Sequence, residues 1–174
     1  MKGKFYFLVL LIIMNFSFSC EKDDLEHKNE FEISRNVWLD FKESANNSYK
    51  YKAVGGSFNG SAWETTLTVS DGKLIERHFR YTSTEGLSEN IPEENLEWTE
   101  NDTEIGTHVF AGAEALTLNE VYEKAEKEWL IQRENSKTYF EAENNGLIST
   151  CGFVEDGCQD DCFVGITISS IEIL

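Results

Sequence analysis

Trp63-Glu64-Thr65-Thr66-Leu67-Thr68-Val69-Ser70-Asp71-Gly72-Lys73-Leu74-Ile75-Glu76-Arg77-His78-Phe79-Arg80-Tyr81 decides the fold. Trp63, Thr65, Leu67 and Val69 alternate with Glu64, Thr66 and Thr68, the period-two pattern of a half-buried strand. Asp71-Gly72 tolerates positive φ at both positions and reads as a two-residue hairpin turn. The return strand runs from Lys73 to about Tyr81, with Ile75, Arg77, Phe79 and Tyr81 expected on one side.

The same period extends upstream. In Tyr49-Lys50-Tyr51-Lys52-Ala53-Val54 apolar residues alternate with lysines, and Gly55, Gly56, Asn59 and Gly60 form a loop around Phe58. Before them, Ser34 is expected to cap a helix to about Ala45. Val37, Trp38, Phe41 and Ala45 fall on one of its faces.

Downstream, residues 82–116 read as a long acidic loop. It holds Pro92, Trp98, Glu100, Asp102, Glu104 and His108, with Trp98 and Phe110 expected to pack down. Thr117-Leu118-Asn119-Glu120 is a capping box. It opens a helix to about Glu134 whose apolar stripe is Leu118, Val121, Tyr122, Ala125 and Trp129. A strand over Thr138–Ala142, a turn at Asn145-Gly146, a strand over Leu147–Phe153, a cysteine loop and a last strand over Phe163–Leu174 follow. The apolar parity of the last strand switches between Ile168 and Ile171, which predicts a bulge at Ser169-Ser170. The expected architecture is α+β: a two-layer domain of two helices packed on an antiparallel sheet, in helix-strands-helix-strands order.

The first residues predict an export signal. Lys2 and Lys4 precede an apolar run from Phe5 to Met14, and Ser19-Cys20 follows. The run is too short to span a bilayer, which takes about 20 apolar residues. A small residue before a cysteine marks a bacterial lipoprotein cleavage site, because the thiol accepts the diacylglycerol. Residues 1–19 are therefore expected to be removed, Cys20 to carry lipid such as palmitate, residues 20–32 to form a tether, and 33–174 one domain. Glu21-Lys22-Asp23-Asp24 resembles the surface-export signal of Bacteroidota lipoproteins, which implies the outer face of the outer membrane.

After such cleavage thirteen basic side chains face 32 acidic ones, a net charge of −19. That charge repels nucleic acid, which is excluded as a partner. In an oxidising compartment two of Cys151, Cys158 and Cys162 are expected to pair. Cys151–Cys162 would tie the base of a hairpin loop and is favoured slightly. Cys158–Cys162 would close a smaller ring.

Two clusters offer metal-binding chemistry. Glu100, Glu104 and His108 recur every four residues, and on a helix would share a face. Asp156, Asp160 and Asp161, with Glu155, crowd the cysteine loop and could offer oxygens to calcium, although the spacing is not that of an EF-hand. The bland reading of both is a solvated acidic loop, and no cofactor is expected. No Gly-x-Ser-x-Gly elbow, dinucleotide fingerprint or phosphate loop is present. Phe58, among glycines, and Trp98 are the candidates for an exposed aromatic that meets a protein or glycan ligand.

Ser48-Tyr49-Lys50-Tyr51, Glu64-Thr65-Thr66 leading to Val69-Ser70-Asp71-Gly72-Lys73, and Trp98-Thr99-Glu100 leading to Gly106-Thr107-His108 recur in order with Thr117-Leu118-Asn119-Glu120-Val121-Tyr122 and Cys151-Gly152-Phe153 leading to Asp160-Asp161-Cys162. In that order they resemble a family of small Bacteroidota lipoproteins carrying a domain of unknown function, over most of residues 36–171. The resemblance implies the fold and the envelope location and brings no catalytic residue. Three functions follow as expectations: a surface-displayed binding or interaction domain, a periplasm-facing accessory or inhibitor module, and a hydrolase using carboxylates around Glu100 or Asp160.

Overall fold

The structure is a computed structural model that describes residues 25–109 and 111–174. The expected signal sequence, Cys20, Lys22 and Phe110 lie outside the described residues. Helix α1 spans Lys28–Ser44 and strand β1 Tyr49–Gly56. Strands β2 (Ser61–Ser70), β3 (Lys73–Thr84) and β4 (Glu97–Asn101) follow. Helix α2 spans Leu118–Lys124 and continues as a π-helical turn over Ala125–Trp129. Strands β5 (Ser136–Glu141), β6 (Thr150–Glu155) and β7 (Val164–Ile173) complete the chain. The architecture is α+β, with one antiparallel seven-stranded sheet in the order β4-β3-β2-β1-β7-β6-β5. β7 pairs with β1, so both halves of the chain share one sheet.

Local chemistry accounts for several joints. Asp71 and Gly72 both have positive φ, at 48° and 76°, and Ser70 pairs with Lys73 across the turn. The Thr117 hydroxyl accepts from the Glu120 amide, and the Glu120 carboxylate accepts from the Thr117 amide at 2.7 Å. Lys52 pairs with Ser170 but Ala53 pairs with Ile168, so Ser169 is the extra residue of a bulge where the parity switch predicts one.

Three expectations are corrected. α1 begins at Lys28, not Ser34, so residues 28–32, expected in a tether, are helical. Phe31 is buried, and Leu25 forms a bridge with Ile131. Ser34 lies inside α1, where its hydroxyl meets the Tyr122 hydroxyl at 2.8 Å. β3 carries a bulge at Ile75: Thr68 pairs with Glu76 and Val69 with Leu74, which turns Leu74 rather than Ile75 toward the core. The 82–116 segment is not all loop. It holds the end of β3 and the whole of β4, paired Phe79 to Trp98 and Arg77 to Glu100.

The core draws on both helices and the sheet: Phe31 and Trp38 from α1, Val121 and Tyr122 from α2, and Tyr49, Tyr51, Leu67 and Ile168 from the strands. The Trp38 ring stands edge-on to Tyr49 at 5.3 Å and stacks on Tyr122 at 5.9 Å. Aromatic pairs of this kind add about 0.5–1.5 kcal/mol beyond their burial. The other face of the sheet is polar: Glu64 bridges Lys52 at 3.1 Å and Arg80 at 2.6 Å.

Candidate functional site

A row of polar side chains crosses the core face of four neighbouring strands and pins the chain between β4 and α2. From β1, the Tyr51 hydroxyl donates to the Leu116 carbonyl at 2.6 Å, and the Tyr49 hydroxyl accepts from the Leu118 amide at 3.0 Å. From β2, Thr65 Oγ1 accepts from the Ala113 amide at 3.0 Å. From β3, Arg77 donates to the carbonyls of Ala113 (2.8 Å), Ala111 (3.0 Å) and His108 (3.2 Å). From β4, Glu100 accepts from the amides of Gly106 and His108, both at 2.6 Å, and from the Thr107 hydroxyl at 3.1 Å. These groups stand at positions that alternation reserves for apolar residues. They satisfy the backbone of a segment that lies against the sheet without pairing as a strand.

Glu100 is the centre of this row. It is fully buried, and Arg77 Nη1 reaches its Oε2 at 3.0 Å while His108 Nδ1 meets Oε1 at 2.9 Å. Burial alone would raise its pKa, but the His108 and Gly106 amides, the His108 ring and Arg77 outweigh burial and hold it at about 2. Glu100 is thus an ionised acceptor at neutral pH and has no proton to donate. Burial pushes the neighbouring Tyr51 phenol well above its ordinary range, so it remains a donor. The Arg77 guanidinium lies 4.7 Å over the Trp98 ring, and Trp98 stacks between Phe79 and His108.

Of the residues singled out in sequence, the fold brings Glu100, His108 and Trp98 together. It does so in a strand and a loop, not on a helix, and Glu104 stays exposed outside the group. Trp98 is a packing residue rather than an exposed one. Among the described residues no three His, Cys, Asp or Glu side chains converge as a metal-holding group. Asp156 and Asp160 are exposed. Asp161 instead ties two loops together, accepting from Ser57 Oγ at 2.6 Å and from the Phe58 amide at 3.0 Å. Phe58 is 78% exposed. The disulfide is Cys158–Cys162, not the slightly favoured Cys151–Cys162, because Cys151 points into the core on β6. Burial pushes the Cys151 thiol up to about 12.

Sequence reading misses an open-sided cavity beside these contacts. It has a volume of about 520 Å³ and is bounded by Trp63, Trp129 and Phe163, with Asp161 and Glu114 also lining it. One wall is the pinned segment, through Gly112, Ala113 and Leu116. Another is the disulfide loop, through Cys162. The floor carries little side chain: Ala53, Gly55 and Gly165. The sequence signal for the cavity is Gly55, expected in a loop, which in the fold lies on β1 directly against the Trp63 ring.

No family model matches the chain, and the searches of curated proteins and of solved structures likewise give no match.

Proposed function

We propose that this protein is a lipid-anchored envelope protein whose domain binds a ligand at the Trp63–Trp129–Phe163 cavity. The observation that carries the binding reading is the cavity itself, lined by aromatic rings and glycine backbone, with one wall pinned by the Arg77–Glu100 row. A preformed wall lowers the ordering cost of binding. Small-molecule sites occupy about 300–1,000 Å³ and are lined by aromatic groups with a few polar ones, which this cavity matches in kind. Support for the anchor comes from the basic start, the apolar run and Ser19-Cys20. In this reading α1 and α2 form one layer over the sheet. The five peptide units from Cys20 to Leu25 reach at most about 18 Å, so the domain rides close to the membrane.

Two experiments test the reading. Metabolic labelling with a fatty-acid probe should mark the wild-type chain and not Cys20→Ser, and protease shaving of intact cells should remove the domain. An unlabelled wild-type chain contradicts the anchor. Protection until the outer membrane is broken contradicts surface display and favours the periplasm-facing module. A photo-crosslinking residue at Thr167, on the cavity wall, should capture an adduct in intact cells. Capture no greater than from exposed Leu39 contradicts the binding reading.

A further inference from the structure

Two of the three aromatic rings at the cavity are seated directly on glycine backbone. A Cβ on Gly55 would stand 2.3 Å from the Trp63 ring, and one on Gly152 would stand 2.6 Å from the Phe163 ring. Trp63 thus meets Gly55 through several ring atoms, and Phe163 meets Gly152 through its ring tip. The third ring, Trp129, is only 5% exposed, and the structure records no acceptor among the described residues for its indole N–H. It lines the same cavity.

The ionisable groups lining the cavity are selective. Asp161 and Glu114 carry carboxylates there, and among the described residues no Lys, Arg or His side chain lines it. An anionic ligand would face carboxylates with no cation of the wall to receive it. Lys124, 2.7 Å from Glu114 and 5.7 Å from the centre of the Trp129 ring, offsets part of that negative charge. Asp161 has two protein donors, and a carboxylate offers about four acceptor sites, so it keeps capacity for a ligand. A ligand with ammonium donors alone would satisfy the carboxylates but offer the Trp129 N–H no acceptor. A hydroxyl both donates and accepts.

Resting on the binding reading and naming its ligand class, we infer that the cavity takes a neutral saccharide. A C–H face of the sugar ring lies against Trp63, and its hydroxyls accept from the Trp129 indole and donate to Asp161 and Glu114. The apolar contact supplies area and the hydroxyl contacts supply orientation.

The four tryptophans make the test specific. The full chain in detergent micelles, with ¹⁵N-labelled indoles, is titrated with N-acetylglucosamine, galactose, maltose and cellobiose. Glucuronate and choline serve as the charged comparators. At least one neutral sugar should move the Trp63 and Trp129 indole resonances saturably. Trp38, which donates to Asn119 at 3.1 Å, and Trp98 should stay in place. Trp63→Ala and Asp161→Asn should each weaken binding at least tenfold, while Leu39→Ala leaves it unchanged. The dispersion of the remaining resonances reports that each variant is folded. Movement with choline but with no neutral sugar overturns the saccharide assignment and leaves the binding reading standing. So does silence from every probe in a protein that still crosslinks through position 167. Silence from both experiments removes the binding reading itself.

Discussion

Arg77 and Glu100 face each other across 3.0 Å with both side chains withdrawn from solvent, and together they hold the backbone of residues 106–113. Taking out one partner of a buried pair leaves an uncompensated charge, at a cost of about 3–5 kcal/mol. Glu100→Gln is therefore expected to lose about 3 kcal/mol, read as a lower urea midpoint at unchanged slope. The double substitution Arg77→Met with Glu100→Leu should not recover wild-type stability, because the carbonyls of Ala111 and Ala113 and the amides of Gly106 and His108 also lose partners. A double variant as stable as wild type would show that the row contributes nothing beyond the pair.

The same carboxylate sets a pH dependence. Its folded pKa, about 2, lies below the ordinary 4.5. The stability it contributes is present above pH 4.5 and lost as pH falls toward 2, and amounts to no more than about 3 kcal/mol. Other acids titrate in this window, so the useful quantity is the wild-type minus Glu100→Gln difference. That difference should shrink between pH 5 and 2 in chemical denaturation. A difference that is flat with pH contradicts the depressed pKa.

Gly55→Ala probes the seat of Trp63. The added Cβ would stand 2.3 Å from the indole, so the ring must move off the sheet. We expect a loss of about 1–3 kcal/mol and a red shift of tryptophan emission. An unchanged spectrum would mean that Trp63 does not rest on this glycine.

The cysteines predict a peptide map. A non-reduced digest should link Cys158 to Cys162, and Cys151 should resist alkylation in the native protein. A thiol with a pKa near 12 presents almost no thiolate at neutral pH. Denaturation should expose one reactive thiol. The disulfide closes a short ring, so its removal should cost about 2 kcal/mol. Rapid labelling of native Cys151 would contradict its burial.

What was legible in the sequence had local causes. Asp71-Gly72, Thr117 to Glu120, and the parity switch at Ser169-Ser170 each determine their geometry within a few residues. What was hidden depended on distant partners. Phe31 stands among charged neighbours, so its role as a core residue shows only once Tyr122 and Phe140 lie 6.0 and 6.1 Å away. β4 is hidden because Glu100 occupies an inward position that alternation would give to an apolar residue, and Arg77, 23 residues earlier, joins the Gly106 and His108 amides in making that placement tolerable. Ile75 misled because a bulge reverses the facing of every residue beyond it. The larger disulfide ring was reasonable from spacing, but β6 turns Cys151 inward, away from the loop that holds the other two.

Hydrogen exchange tests most directly whether the Arg77–Glu100 row builds the cavity wall. In the wild type the amides of Gly106, His108 and Ala113, which donate to Glu100 and Thr65, should exchange as slowly as those of central β2. In Glu100→Gln, those of Gly106 and His108 should speed up at least 100-fold more than β2 does. Fast exchange at all three positions in the wild type would contradict the account, because this wall of the cavity would then be open in solution.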